Sequence, residues 1–188
     1  MKEIRFHGRG GQGVVVASEI LADAAMRDGK YVQSFPSFGP ERRGAALMAF
    51  TRIDDKPIRV RCQIYEPDYV VVFDPKVCQS QDVTSGLKPD GVVIINTPLT
   101  ADRVKEEKLI TKGIIHAVDA SSIALKVFGS PILNTVMLGA FAAATNEVKL
   151  QCLSDAVRDR FPKATADKNV RAMEEAYKLT KAQENTHV

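Results

Sequence analysis

The chain has 188 residues, 45% of them hydrophobic, which is typical of one compact domain with a sizeable core. Its 26 Lys and Arg residues nearly balance 23 Asp and Glu residues, so the net charge of +3 argues against a nucleic-acid or anionic-membrane partner. No apolar run reaches membrane-spanning length and no signal-peptide core is visible, so a cytoplasmic location is expected. We predict one domain over residues 1–188, with residues 182–188 as a frayed tail.

The first two thirds of the sequence alternate strand-like apolar runs with helical patterns. The expected first helix is Val14–Asp28, and the expected strands are 4–7, 31–35, 46–53, 60–64, 69–73, 92–95 and 114–118. The central runs are continuously apolar, as in strands that are buried on both faces. Runs 46–53 and 60–64 flank a polar turn, and we interpret them as a β-hairpin inserted in the sheet.

The last third of the sequence is helical in pattern. The expected helices are 121–128, 133–145, 150–160 and 166–182, separated by Gly, Pro and Asn breaks. The predicted fold class is α/β: a Rossmann-like three-layer domain with a mostly parallel sheet, an inserted β-hairpin and a helical C-terminal third.

Cysteine and histidine give no sign of a metal site. Cys62, Cys78 and Cys152 are widely separated and include no Cys-x-x-Cys pair, so neither a disulfide framework nor a self-contained iron–sulfur or zinc site is supported. No two histidines have metal-ligand spacing, and His7 is more typical of a residue in a hydrogen-bonded niche than of a ligand contact.

A glycine-rich loop follows the first expected strand. Its residues Gly8, Arg9, Gly10, Gly11, Gln12 and Gly13 spell G-x-G-x-x-G between a strand and a helix, which is the required context for that motif. The N–H groups at the helix start, together with Arg9, favour a phosphate, a carboxylate or a partner's carbonyl oxygen. Dinucleotide binding is disfavoured because the second strand ends without the acidic residue that would bind the ribose. The alternative is that the glycines serve only tight strand–helix packing.

A second unusual loop follows the second expected strand. It consists of Ser37, Phe38, Gly39, Pro40, Glu41, Arg42, Arg43 and Gly44. Loops after neighbouring parallel strands meet at the carboxyl edge of a sheet, so we expect this loop beside the glycine loop. Arg42 and Arg43 suit phosphate or carboxylate through their planar donor forks, and Glu41 could orient one of them. A solvated turn is the alternative interpretation.

Two polar residues, Asp74 and Asn96, each follow a later apolar strand. Either could face the same edge as the glycine loop. Capping the next helix or fixing the turn is the simpler interpretation of both.

The motifs together resemble a known family. HGRGGQG at 7–13 and FPSFGPERRGA at 35–45 look like the gamma subunit of pyruvate and related 2-oxoacid:ferredoxin oxidoreductases, and YVVVFDP at 69–75 and the segment 134–140 match it in order and spacing. The resemblance covers nearly the whole chain. Asn134 in the last segment is expected either at a subunit contact or in close helix packing.

This resemblance implies one subunit of a hetero-oligomeric oxidoreductase. Such an enzyme converts a 2-oxoacid and coenzyme A to an acyl-CoA and reduces ferredoxin. Thiamine diphosphate, magnesium and iron–sulfur clusters are expected in partner subunits of the alpha, beta and delta types, with no catalytic residue and no metal in this chain. Pyruvate is the favoured substrate, because FPSFGPERRGA followed by AFTRID looks closest to the pyruvate and isovalerate types.

The resemblance leaves two roles open for the two loops. They could line the channel by which coenzyme A reaches the thiamine-bound intermediate, with Arg9, Arg42 and Arg43 at its phosphates. They could instead dock against the catalytic subunits, with Phe35 and Phe38 as anchors. An independent Rossmann-type nucleotide-binding oxidoreductase and a purely structural subunit are the remaining alternatives.

Overall fold

The computed structural model describes residues 1–37 and 46–184, and a six-stranded sheet runs through its centre. The strands are β1 (Lys2–Arg9), β2 (Tyr31–Ser37), β3 (Ala46–Asp54), β4 (Tyr69–Val72), β5 (Val92–Asn96) and β6 (Ile114–Val118). Their order across the sheet is β2-β3-β1-β4-β5-β6. β1, β4, β5 and β6 pair in parallel, whereas β3 is antiparallel to both of its neighbours. The predicted α/β class with a mostly parallel sheet is confirmed.

Helices cover the sheet and leave an apolar core on each face. They are α1 (Val14–Arg27), α2 (Ala101–Glu106), α3 (Ala120–Phe128), α4 (Asn134–Thr145), α5 (Leu150–Arg160) and α6 (Lys163–Glu184), with a 3₁₀ helix at Pro75–Gln79. The larger core lies between the sheet and α1, α3, α4, α5 and α6, and the smaller one packs β4–β6 against α2 and the 3₁₀ helix. The strands and long helices begin and end within a few residues of the predicted bounds. α2 and the 3₁₀ helix were not expected from the sequence pattern.

The predicted hairpin is wrong in its second arm. β3 pairs with β2 on one side and with β1 on the other, so neither of its edges is free to pair with residues 60–64. Those residues form no strand, and two of their carbonyl groups accept hydrogen bonds from side chains instead. Gln33 Nε2 donates to the Val60 carbonyl at 2.9 Å, and Arg52 donates to the Gln63 carbonyl at 3.2 Å. The hairpin that exists joins β2 to β3.

Residues 182–184, which were predicted to belong to a frayed tail, are the last residues of α6. α6 continues to Glu184, two residues past the predicted helix end at Ala182. Gln183 contributes to this extension, because its side-chain amide donates to the carbonyl of Ala117 at 3.0 Å and ties the end of α6 to β6. Among the helices that the structure describes, none is long and apolar enough to cross a membrane.

Candidate functional site

The glycine loop connects β1 to α1 at the carboxyl edge of the sheet. Gly11 and Gly13 have φ values of 98° and 79°, which residues with a side chain rarely adopt, so the turn itself requires them. Gly8 serves packing instead, because a methyl group there would lie 2.5 Å from Val14 Cγ2 and 3.0 Å from Phe73 Cβ. Gly11 faces open space. The packing interpretation therefore accounts for Gly8 but not for the exposed part of the loop.

Hydrogen bonds from side chains of the loop, and from Asp74 at the end of the neighbouring strand β4, stabilise the conformation of the glycine loop. Gln12 Oε1 accepts from the Arg9 N–H at 2.7 Å, and Gln12 Nε2 donates to Asp74 Oδ2 at 3.3 Å. Arg9 Nε lies 3.2 Å from the same carboxylate oxygen. Asp74 also accepts from the Lys76 N–H at 2.9 Å, so it has the predicted capping role and a contact with the glycine loop as well. The charge of Arg9 is thus balanced within the site.

Asn96 fixes a neighbouring part of the same edge. Its side-chain amide donates to the Phe73 carbonyl at 2.9 Å, and its side-chain oxygen accepts from the Ser121 N–H at 3.1 Å at the start of α3. Asn96 therefore links β4, β5 and α3, which agrees with the structural role that its position after a strand indicates.

The second loop starts and ends at the same edge. β1 and β2 are both antiparallel to β3, so they run in the same direction. Ser37 at the end of β2 is opposite Met48, and Ala46 at the start of β3 is opposite Arg9. The predicted residues Phe38, Gly39, Glu41, Arg42, Arg43 and Gly44 lie outside the described residues.

Asn134 lies beside the glycine loop, a position that no sequence pattern predicted. It is the first residue of α4 and is 8% exposed. Its Nδ2 would lie 3.3 Å, and its Cβ 3.1 Å, from a methyl group placed on Gly13. Asn134 Oδ1 accepts from the Thr135 N–H at 2.9 Å. Because Gly13 is the residue immediately before α1, the N-termini of α1 and α4 meet at this point.

The close helix packing expected near Asn134 occurs at Gly139, further along α4. A methyl group on Gly139 would lie only 2.0 Å from the backbone oxygen of Met173 in α6. The backbones of α4 and α6 therefore touch at Gly139, while Asn134 is left to face the glycine loop.

Beneath the loop, His7 and Arg5 form a buried structural network. Arg5 Nε donates to His7 Nε2 at 3.0 Å, and Arg5 Nη2 donates to the carbonyls of Val83 and Ser85. Burial, and then the neighbouring charge of Arg5, lower the pKa of His7 to about 3. His7 is therefore neutral at physiological pH and acts as an acceptor for Arg5, as expected of a histidine in a hydrogen-bonded niche.

The sheet order also disfavours a conventional dinucleotide site. In a Rossmann fold the strand that carries the ribose-binding acid lies next to β1, but here β3 lies between β1 and β2. The end of β2 is thus displaced from β1 by two strand spacings, about 10 Å, instead of one. β2 also ends in Ser37 and carries no acidic residue.

No residue set fits a metal cluster in the part of the chain that the structure describes. Residues 1–37 and 46–184 contain no group of three or more His, Cys, Asp or Glu side chains that could hold a metal ion. The three cysteines are free: Cys62 lies between β3 and β4, Cys78 in the 3₁₀ helix and Cys152 in α5. The side chains present therefore do not fit an iron–sulfur cluster.

Comparison with known proteins identifies the family. The sequence pattern of the pyruvate ferredoxin/flavodoxin oxidoreductases matches residues 3–179. The chain belongs to this family. The gamma-type subunit predicted from the two loop motifs is a member of the same family, so the resemblance is confirmed.

Individual relatives match the sequence of this chain along nearly their whole length. The chain is 55% identical over 180 residues to the pyruvate/ketoisovalerate oxidoreductases common subunit gamma of Thermococcus kodakarensis, covering 96% of this chain and 97% of that one. It is 54% identical over 183 residues to pyruvate synthase subunit PorC of Methanothermobacter marburgensis, covering 96% and 98%.

Solved structures show the same fold. The pyruvate oxidoreductase subunit PORC of Thermotoga maritima superposes with a TM-score of 0.84 at 39% identity, covering 94% of this chain and 95% of that one. A 2-oxoglutarate:ferredoxin oxidoreductase chain from Magnetococcus marinus, solved with 2-oxoglutarate, coenzyme A and succinyl-CoA bound, gives a TM-score of 0.79 at 22% identity. The match covers 96% of this chain but only 31% of that longer chain, and it shows the fold alone.

Proposed function

We propose that this protein is the gamma subunit of a cytoplasmic pyruvate:ferredoxin oxidoreductase. The complex would convert pyruvate and coenzyme A to acetyl-CoA and CO₂, and pass the two electrons released to ferredoxin. The observation that carries the proposal is the end-to-end match to gamma and PorC subunits of pyruvate enzymes at 54–55% identity. Alpha, beta and delta-type subunits would hold thiamine diphosphate, magnesium and the clusters, which supply the decarboxylation and electron transfer.

The contribution of this chain would be at the carboxyl edge of its sheet. The glycine loop and the ends of the second loop lie together there. We propose that this edge faces the coenzyme A channel, with Arg42 and Arg43 binding phosphate groups and Glu41 orienting one of them. Ser37, Phe38, Gly39 and Gly44 would set the shape of that loop.

The contacts of Arg9 and Phe35 make both residues less available for the roles that the two hypotheses give them. Arg9 is already paired with Asp74, so it is less available to a coenzyme A phosphate than Arg42 or Arg43. Phe35 packs its ring 5.2 Å from that of Phe50, with the guanidinium of Arg52 over the same ring, so it is an internal contact more than a docking anchor. Docking through the second loop would then depend mainly on Phe38.

Arg42→Ala separates the coenzyme A role from a docking role. A charge-assisted hydrogen bond contributes about 1.5–3 kcal/mol, so its loss should raise the KM for coenzyme A by roughly 10- to 100-fold. The KM for pyruvate and the yield of assembled complex should stay unchanged. Arg103→Ala is the matched control, because Arg103 lies on the exposed face of α2 and pairs only with Glu106 and Glu107 among the described residues.

The opposite pattern would contradict the coenzyme A role. If Arg42→Ala weakens subunit assembly and leaves the KM for coenzyme A unchanged in the residual complex, the second loop is a docking element. If it changes neither quantity, the chain is a structural subunit that needs no ligand at this loop. Deletion of the gene tests the function itself, since extracts should then lose coenzyme A-dependent viologen reduction by pyruvate and regain it on complementation.

A further inference from the structure

The edge strand β2 is open to solvent along its whole length. It lies at the end of the sheet and pairs with β3 alone. Every residue of β2 is exposed or half-buried, and none of them carries a charge. Edge strands that face water usually carry lysine or another charge, which keeps other chains from pairing with them. Pro36 limits the backbone hydrogen bonds that this edge can offer, so an interface here would depend mainly on side chains.

Residues 60–63 are held against the face of β2 and β3 that lies opposite α1. Gln33 Nε2 donates to the Val60 carbonyl at 2.9 Å, and Arg52 Nη2 donates to the Gln63 carbonyl at 3.2 Å. Arg52 is buried and also donates to Gln33 Oε1 at 2.8 Å, so one network fixes the segment to both strands. A segment that is ordered before binding loses less conformational entropy when an interface forms.

This network brings four exposed side chains together. Tyr31 is 50% exposed and Val60 is 39% exposed. Tyr31 and Gln33 project from the same face of β2, and Gln33 bonds the backbone of Val60, so Tyr31 and Val60 are neighbours. Arg59 and Arg61 are exposed and flank Val60 in the chain. We call Tyr31, Arg59, Val60 and Arg61 the β2 surface. Tyrosine and arginine around an apolar centre are typical of protein–protein interfaces.

The two arginines of the β2 surface lack the ion pairs that most other arginines of the chain form. Six arginines lie 3.5 Å or less from a carboxylate oxygen: Arg9, Arg27, Arg52, Arg103, Arg158 and Arg160. Within residues 1–37 and 46–184, neither Arg59 nor Arg61 has such a partner. The β2 surface therefore carries uncompensated positive charge. A second copy of the same surface would bring like charges together, whereas a surface that presents carboxylates would neutralise them.

We propose that the β2 surface docks an acidic face of a neighbouring subunit of the oxidoreductase. Carboxylates of that subunit pair with Arg59 and Arg61, and its apolar side chains pack on Tyr31 and Val60. This inference rests on the proposed function for the existence of the neighbouring subunit. It concerns a surface separate from the candidate site, because Val60 lies beside Gln33, about 13 Å along β2 from the carboxyl edge at Ser37.

Cys62 reports whether the surface is covered in the complex. Its thiol is exposed in the chain and directly follows Arg61. The purified complex and the isolated full chain are treated with iodoacetamide, and mass spectrometry follows the labelling of Cys62. Because interface cores exclude solvent, labelling should be slower by about tenfold or more in the complex. Equal labelling rates in the complex and in the isolated chain would overturn the inference.

Carbodiimide cross-linking identifies the partner's chemistry. Arg59→Lys and Arg61→Lys keep the positive charge and supply amines that a carbodiimide joins directly to a carboxylate in contact. A complex with both substitutions should yield peptides in which position 59 or 61 is joined to Asp or Glu of another subunit. Arg171→Lys is the matched control, because Arg171 on α6 is exposed and also has no described ion pair, and it should give no such peptide. Cross-links to a second copy of this chain, or none at positions 59 and 61, would overturn the inference.

Charge reversal tests whether the arginines contribute to assembly. Arg59→Glu combined with Arg61→Glu should lower the yield of the complex by about tenfold or more, because like charges then meet, while the isolated chain keeps its thermal midpoint. Arg171→Glu should leave both quantities unchanged. A double variant that assembles as wild type does would overturn the inference but leave the proposed function intact, because the activity of the wild-type complex tests that function separately. Recovery of the wild-type chain alone would contradict both.

Discussion

Gly139 is the position where a single methyl group should most disturb the fold. A Cβ there would lie 2.0 Å from the Met173 carbonyl oxygen, whereas unstrained contacts of this kind need about 3.5 Å. The clashing atoms belong to the backbones of α4 and α6, so no side chain can rotate to relieve the contact. Gly139→Ala must therefore push the two helices apart by about 1.5 Å, or distort one of them.

The expected loss of stability is the difference between two effects. Overpacking of a well-packed core destabilises by about 1–3 kcal/mol, and a backbone clash belongs at the upper end of that range. Alanine in a helix interior is better than glycine by about 1 kcal/mol. The free energy of unfolding should thus fall by about 2 kcal/mol. For a domain of this size, that corresponds to a thermal midpoint lower by about 4–8 °C.

Thermal and urea unfolding of Gly139→Ala and Gly29→Ala would test this reasoning. Gly29 has open space around it and a φ of 79°, so alanine there is strained by the backbone alone. Asparagine tolerates that conformation, so Gly29→Asn should recover most of the stability, whereas Gly139→Asn should be less stable than Gly139→Ala. A Gly139→Ala protein as stable as wild type, or stabilised by helix propensity, would refute the predicted backbone contact.

Two further predictions concern buried charged and titratable groups. Arg52→Met should lower the free energy of unfolding by about 3 kcal/mol, because the 1% exposed guanidinium bonds Glu3 at 2.8 Å and its loss leaves that carboxylate unpaired. Glu3→Gln combined with Arg52→Met should recover at least ~1 kcal/mol in a double-mutant cycle, and strictly additive losses would contradict the pairing. Folding lowers the pKa of His7 from 6.5 to about 3, so below pH 6.5 the unfolded chain binds more protons than the folded chain. Between pH 7 and pH 5 the free energy of unfolding should therefore fall by about 2 kcal/mol more for wild type than for His7→Gln. Urea titrations of both proteins at pH 7 and pH 5 measure this difference. No difference between the two proteins would mean that His7 is already protonated in the folded protein.

The sequence predicts local structure well where hydrophobic periodicity is strong. The helices at 120–128, 134–145 and 150–160 begin and end within one residue of the expected bounds, because Gly129, Asn146 and Pro162 interrupt the pattern. The prediction of a second hairpin strand at residues 60–64 was wrong. The alternation of these residues indicates which side chains can be buried, but it does not indicate whether a neighbouring strand has a free edge to pair with. β2 and β1 already occupy both edges of β3.

The candidate site could be only partly predicted, because its parts are distant in sequence. The motif itself identifies the glycine loop. The ion pair between Asp74 and Arg9 can be predicted only when β4 is known to lie beside β1. Asn134 comes 121 positions after Gly13, and its place beside the loop depends on how α4 packs between α1 and α6. No local pattern in the sequence carries that information.

The most direct test of the central claim is purification of the tagged chain from its native cell, followed by viologen reduction with pyruvate, a branched 2-oxoacid or 2-oxoglutarate. We predict that the chain is recovered with larger, iron-containing subunits, and that reduction requires both coenzyme A and a 2-oxoacid and is fastest with pyruvate. A faster rate with another 2-oxoacid would contradict the proposed substrate alone. Recovery of a solitary chain without iron or coenzyme A-dependent activity would contradict the account as a whole.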